Sequence, residues 1–305
     1  MKRTPVERVD VSAFVIPTDA PEADGTFEWQ STTLVVVEAR AGDVRGIGYT
    51  YASTATARLI ADTLAEVVRG SDVMAIPACW TAMVRSVRNV GRQGIASTAI
   101  ASVDVALWDL KARVLGISTR DLPGVARERV CVYGSGGFTS YDTDRLCTQL
   151  AGWVEQGITA VKMKVGRDRR TDSERVRLAR QAIGDNARLF VDANGGYSRK
   201  EALQQAERFG QYEVSWFEEP VSSDDLAGLR FIRERAPSGM DIAAGEYGFD
   251  ARPPYATRVD FRCRRTPPRR CTGLFAAPRQ WPVMWSISTI TPESSRCSST
   301  ARSCR

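Results

Sequence analysis

Three acidic residues, Asp192, Glu218 and Glu246, close the segments LFVDAN, SWFEE and IAAGE, at separations of 26 and 28 residues. Each separation is about one strand-plus-helix unit. In a parallel arrangement the three carboxylates therefore arrive at one level on neighbouring strands, about 4.8 Å apart. Oxygen-only donors suit a hard divalent ion, Mg²⁺ in preference to zinc. One such residue alone reads as a solvated loop acid. Three in phase with the repeat favour a metal site, because without a cation they would repel one another. The preceding segment, AVKMKVG, puts Lys162 and Lys164 on one strand face, with Val161, Met163 and Val165 on the other. If that face is the interior, mutual repulsion and the cation would lower a lysine's pKa and suit it to proton abstraction. An exposed strand face is the plainer alternative; adjacency to the carboxylates favours the chemical one.

The elements that must position these residues alternate. From Val130 the chain reads as strand VCVYGSG, helix DTDRLCTQLAGWVEQ, strand ITAVKMKVG, helix DSERVRLARQAIG, strand ARLFVDAN, helix SRKEALQQAERFG, strand VSWFEEP, helix DDLAGLRFIRERA and strand DIAAGE. Strict βα alternation implies parallel strands with helical crossovers, and the repeat is that of a TIM-like barrel. A doubly wound open sheet is the runner-up, weakened by the lack of a G-x-G-x-x-G after a first strand. Before Val130, VERVDVSAFVI, STTLVVVEAR and GDVRGIGYTYA predict three strands, residues 54–69 a helix stopped at Gly70, and 95–115 a long helix ending at Gly116. That region reads as a separate α+β domain.

Composition removes many chemistries. The 305 residues include no histidine, which excludes the Ser-His-Asp triad, the Cys-His pair and His-ligated zinc. Catalysis must run on carboxylates, lysines, tyrosines or cysteines. The seven cysteines form no C-x-x-C pair, so a zinc site or disulfide framework is not expected. The net charge of +6 belongs to the end of the chain: residues 251–305 hold eleven arginines against two acids, leaving +9 there and −3 in the first 250 residues. That stretch also holds four of the cysteines and seven of the 14 prolines, without βα periodicity. Arg, Pro, Cys and Ser enrichment with loss of Lys and acids favours a coding-frame change over a natural basic tail. The expected organisation is an α+β domain over 1–125, five βα units over 126–250 and an aberrant tail over 251–305. No apolar run is long enough to span a membrane, and MKRTPVERVD has no signal-like apolar stretch, so a cytoplasmic location is expected.

The set K-x-K (Lys162, Lys164), V-D-A-N (Asp192, Asn194), E-E-P (Glu218 to Pro220) and A-G-E (Glu246) resembles the mandelate racemase/muconate lactonizing branch of the enolase superfamily. The helix AIASVDVALWDLKARVLG resembles the one linking that family's capping domain to its barrel. The motifs, each weak alone, run in order and at family spacing over about residues 5–250. The resemblance implies a capping domain and a (β/α)₇β barrel, here incomplete after the fifth strand. It implies removal of the proton α to a carboxylate of a hydroxy or sugar acid, in a dehydratase- or racemase-type reaction. Mg²⁺ would be held by Asp192, Glu218 and Glu246. Lys164 would be the acid/base, Lys162 would contact the substrate carboxylate and lower the pKa of Lys164, and Asn194 would touch substrate. Specificity would lie in capping loops near 18–30 and 50–55, and the intact family self-associates.

The chain also departs from the pattern. The family's second base is an Asp-His pair on strands six and seven, or a lysine on strand six. Here there is no histidine, the last lysine is Lys200, and the neighbours of Asp260, FRCRR, do not resemble the family strand. Two-base racemisation is therefore unsupported, one-base dehydration through Lys164 is retained, and an inactive relative is the alternative expectation. An amino-acid or dipeptide epimerase or cycloisomerase is the second enzyme reading. A non-catalytic basic-tailed binder is the third. No nucleic-acid partner is expected, because the arginines lack interleaved lysines or a binding fold.

Overall fold

A computed structural model of the chain describes residues 3–125 and 128–249. The predicted tail over 251–305, its frame-change reading and Asp260 lie outside the described residues.

The first layer is an antiparallel sheet, β1 (Arg8–Ala23), β2 (Glu28–Ala41) and β3 (Val44–Tyr51), in that order. Alternation along β2 buries Val35, Val37, Ala39 and Ala41 on one face. Gly42, at φ +56, makes the two-residue turn into β3. The predicted helix over 54–69 forms as α1 (Thr54–Leu59), a π turn (Ile60–Leu64) and α2 (Ala65–Val68), running on without a break. A helix with no sequence expectation, α3 (Ile76–Ser86), follows; Pro77 opens its first turn, and Ile76, Cys79 and Met83 are buried. The long helix α4 (Ile95–Val114) lies on the buried face of the sheet. Two glycines of β3 permit that approach. A Cβ on Gly46 would sit 2.2 Å from the Leu110 nitrogen, and one on Gly48 would sit 2.1 Å from the Ser102 carbonyl oxygen.

The second sheet is parallel and holds β4 (Gly134–Gly136), β5 (Ala160–Lys164), β6 (Arg188–Asp192), β7 (Val214–Glu218) and β8 (Asp241–Ala243), paired in sequence order. The crossovers are α5 (Thr143–Glu155), α6 (Asp172–Ile183), α7 (Arg199–Gly210) and α8 (Leu226–Arg233). A doubly wound sheet reverses its strand order at a switch point, whereas this order never reverses. The five strands are an arc of a barrel. The strand expected over 130–136 is shorter than predicted: Val130 and Val132 stay exposed and pairing with β5 begins at Gly134.

The arc's outer face carries the core, with Met163, Leu189, Val191 and Phe217 packed against Leu146, Leu150, Val176, Ala206 and Phe209. Its inner face holds Lys162, Phe190, Trp216 and the acidic residues. Between β6 and β7 the register slips by one residue, so that Leu189 pairs with Val214 but Phe190 with Trp216. The extra residue, Ser215, is what brings Glu218 level with Asp192. No helix among the described residues is long and apolar enough to cross a membrane.

Candidate metal centre

Lys164 pairs with Asp192, Asp192 with Glu218, and Glu218 with Ala243, so the strands end in one row. Asp192 is wholly buried and Glu218 nearly so. The sequence reading put Glu246 at the end of a strand; the exposed Glu246 instead lies three residues beyond the end of β8, in a turn. Its carboxylate nevertheless returns to the row: ligand oxygens of Asp192, Glu218 and Glu246 lie within 4.8 Å of one another.

The two lysines sit among these acids. Lys162 Nζ donates to Glu218 Oε2 at 2.8 Å and lies 3.1 Å from Asp192 Oδ2. Lys164 Nζ donates to Asp192 Oδ2 at 2.7 Å and to Asn194 Oδ1 at 2.9 Å. Trp216 Nε1 donates to Glu218 Oε2 at 3.2 Å, and Asn194 N–H to Asp192 Oδ1 at 3.1 Å. Burial alone would raise Asp192, but the ammonium groups of Lys164 and Lys162 hold its carboxyl below the usual carboxylate range. Burial also opposes the charge on Lys162, yet Asp192 and Glu218 outweigh it and push the ammonium above its ordinary value. Lys162 therefore stands as an ammonium beside Asp192 and Glu218. The two ammonium groups share Asp192 between them, and attraction to the acids exceeds their repulsion.

Sequence reasoning missed a fourth acid. Glu219, 1% exposed, stands behind the row with a backbone φ of +40. Burial first, then the charges of Glu246 and Asp192, push its carboxyl up to about 7, against the backbone amide of Gly245. Desolvation by the crowded strand ends around its carboxyl likewise raises Glu246, although the residue as a whole is exposed, with Lys164 opposing. Tyr133 was missed too; its ring lies 5.6 Å from Lys162 Nζ and from the Phe190 ring. The E-E-P and VCVYG segments contained both residues, but only as parts of a motif and of a strand.

The turn between β1 and β2 reaches this site. Asp24 Oδ1 accepts the N–H groups of Thr26 and Phe27, and Thr26 Oγ1 donates to the Asn194 carbonyl at 3.3 Å. Thr139 ties the same turn down by donating to the carbonyls of Ala23 and Asp24. Gly25 is seated so tightly that a Cβ would lie 2.1 Å from the Ala193 carbonyl oxygen. Of the two expected capping loops, 18–30 therefore meets the V-D-A-N turn directly.

Among the described residues, the strand ends gather three carboxyl groups with Glu219 behind them and two ammonium groups, and the candidate ligand atoms are all oxygens. That surplus of negative oxygen fits a hard divalent cation.

Residues 10–124 match the N-terminal domain family of mandelate racemase/muconate lactonizing enzymes, and residues 145–253 match the enolase C-terminal domain-like family. The chain is 31% identical to L-talarate/galactarate dehydratase of Salmonella typhimurium, over 79% of this chain and 63% of that protein. It thus spans less than two thirds of that relative's length. A mandelate racemase/muconate lactonizing enzyme-like protein from Rubrobacter xylanophilus superposes with a TM-score of 0.77 at 52% identity, covering 79% of this chain and 68% of that one. A racemase from Streptomyces coelicolor with bound magnesium gives 0.74 at 33% identity, covering 79% and 69%.

Proposed function

The chain belongs to the mandelate racemase/muconate lactonizing enzyme family of the enolase superfamily, and from that membership we propose that Asp192, Glu218 and Glu246 hold Mg²⁺ for removal of the proton α to a carboxylate. The observation that carries the reading is the convergence of three carboxylate oxygens from consecutive βα units within 4.8 Å. When bound, the cation supplies positive charge for a substrate carboxylate and for the negative charge that develops on it.

The chain's own residues then have distinct tasks. Lys164, at the last position of β5, is the base that takes the α proton at Nζ. Asn194 Oδ1 orients that nitrogen, at 2.9 Å. Lys162 fixes the facing oxygens of Asp192 and Glu218 and leaves a positive charge beside the substrate carboxylate. Residues 1–125 cap the site and the units over 126–250 carry it, with the Asp24–Phe27 turn keeping bulk water off the Asn194 turn.

The substrate class is a small hydroxy or sugar acid. The matched dehydratase acts on such acids by its name. With no histidine and no lysine beyond Lys200, one-base dehydration with loss of a β-hydroxyl is the reaction favoured over two-base racemisation. The lysine that other branches of the family place on strand six is missing here, which counts against epimerisation or cycloisomerisation.

A thermal unfolding series tests the metal site. The midpoint of the wild-type chain should rise with Mg²⁺, by the amount that binding to the folded state alone produces, about 2.7 kcal/mol at a hundredfold excess over Kd. Asp192→Asn should abolish that rise. A wild-type chain indifferent to Mg²⁺ would sink the reading. Solvent deuterium exchange at the α carbon across a panel of sugar acids then tests the reaction class.

A further inference from the structure

Asp172 lies in the first turn of α6, but one of its carboxylate oxygens reaches out of the helix to two other turns. Oδ2 accepts the backbone N–H of Gly166 at 3.0 Å and the hydroxyl of Tyr197 at 2.5 Å. Gly166 stands two residues past Lys164, and Tyr197 three past Asn194. A single oxygen therefore joins the turn that follows the lysine to the turn that follows its hydrogen-bond partner. Both side chains are buried, Asp172 at 1% exposed and Tyr197 at 4%.

The surroundings leave these turns little room. Gly166 has φ +101, and a Cβ there would lie 3.2 Å from the Ala193 carbonyl oxygen and 3.4 Å from the Gly25 Cα. The Tyr197 ring packs edge-on against Phe217, with 6.1 Å between centroids, so its hydroxyl is the part that Asp172 engages. Within the V-D-A-N turn, the Gly195 N–H donates to the Glu219 carbonyl and the Gly196 N–H to the Ala193 carbonyl, each at 2.8 Å. Burying a carboxylate is costly unless donors reach it, and an apolar side chain would fill the same place without that cost. What the acid adds is the link between the turns.

We propose that Asp172 and Tyr197 are positioning residues: the carboxylate clamps the Gly166 turn to the Tyr197 turn and so holds Lys164 Nζ against Asn194 Oδ1. The consequence for proton transfer rests on the reading of Lys164 as the base; the clamp itself does not.

Three variants of the full chain test the clamp. Tyr197→Phe removes the hydroxyl and leaves the ring on Phe217, Asp172→Leu removes the acceptor, and Asp172→Asn keeps an acceptor oxygen. Without added metal, exchange of the Gly195 and Gly196 amides should speed up about tenfold in Tyr197→Phe and Asp172→Leu, the scale of one lost hydrogen bond. Gly166 should follow only in Asp172→Leu, and Asp172→Asn should stay near wild type throughout. Acylation of Lys164 by a water-soluble amine reagent, read by peptide mass, should rise about threefold in the first two variants. That of Lys162 should not change, which a general loosening of the fold would not reproduce. Unchanged Gly195 and Gly196 exchange or unchanged Lys164 acylation in Tyr197→Phe overturns the proposal, as does Asp172→Asn as impaired as Asp172→Leu. Should Asp172→Leu fail to fold, Tyr197→Phe decides alone. If the wild-type chain exchanges no α proton on any sugar acid, the reading of Lys164 as the base fails, and the amide and acylation rates still decide the clamp.

Discussion

Two buried surfaces of this chain are assembled on opposite terms. Where α4 crosses β3, backbone meets backbone over Gly46 and Gly48, and the surrounding core is Val, Ile, Leu, Met and Ala. Where the parallel strands end, Lys162, Asp192, Glu218 and Glu219 are packed out of water on one face of a sheet whose other face is apolar. The first contact gains stability through close packing and tolerates no added atom. The second spends stability on buried charge, and each of its members depends on the others. The contrast shows how one chain divides the tasks: a rigid cap, and a charged row that only mutual pairing keeps in place.

The largest effect should come from unbalancing the row. Lys162→Met removes the ammonium that Asp192 and Glu218 share and should cost about 3–5 kcal/mol in chelator, the range for leaving a buried charge uncompensated. Thermal unfolding with and without Mg²⁺ checks this; the variant should gain more from the cation than the wild type does. An equal gain in both would break the contrast, because the lysine would then not be balancing the acids.

The cap responds differently. Gly46→Ala forces a Cβ into the Leu110 backbone and should destabilise by about 3 kcal/mol, as overpacking against atoms that cannot give way. The increment produced by Mg²⁺ should be the same as in the wild type, because the clash is remote from the row. A Mg²⁺ increment that shrinks with the overall stability would show that the two layers are not separable.

The smallest effect sharpens the comparison from within the cap. Asp104, on α4, is a carboxyl buried in that largely apolar layer, and burial pushes it up to about 7 despite a hydrogen bond from Trp108. A folded value above the unfolded one means that the neutral form favours folding. That contribution is whole below about pH 4 and is lost as pH climbs through about 7. Asp104→Asn should therefore leave stability near pH 4 unchanged and raise it at pH 8. Parallel pH profiles for the two chains would show that Asp104 ionises freely in the fold.

The sequence carried the arc plainly, because hydrophobic periodicity and βα spacing are local signals. It carried the row for the same reason: Asp192 and Glu218 repeat in phase with the units that bear them, and Glu246 follows at nearly the same interval although it lies past its strand. Three features escaped it, each set by a neighbour distant in sequence. The slip at Ser215 adds a single residue to the 26 that separate Asp192 from Glu218, which one more loop or helix residue explains equally well. Glu219 sits beside Glu218 in one motif, and only the paths of the adjacent turns decide that it is buried. The charge state of Lys162 follows from which acids reach it, not from Lys164 two positions along. Helix α3 was legible in Ile76, Cys79 and Met83, at spacings of three and four, but Pro77 and the short length disguised it.

The seat of Gly25 against Ala193 has a consequence for anyone recombining members of this family. A turn that leaves no room for a Cβ is a mould of its opposite surface, so the β1–β2 turn and the V-D-A-N turn form one heritable unit despite lying some 168 residues apart. A chimera that exchanges the cap alone would inherit half of a matched pair. The crossover that preserves function is the one that moves residues 23–27 and 193–196 together.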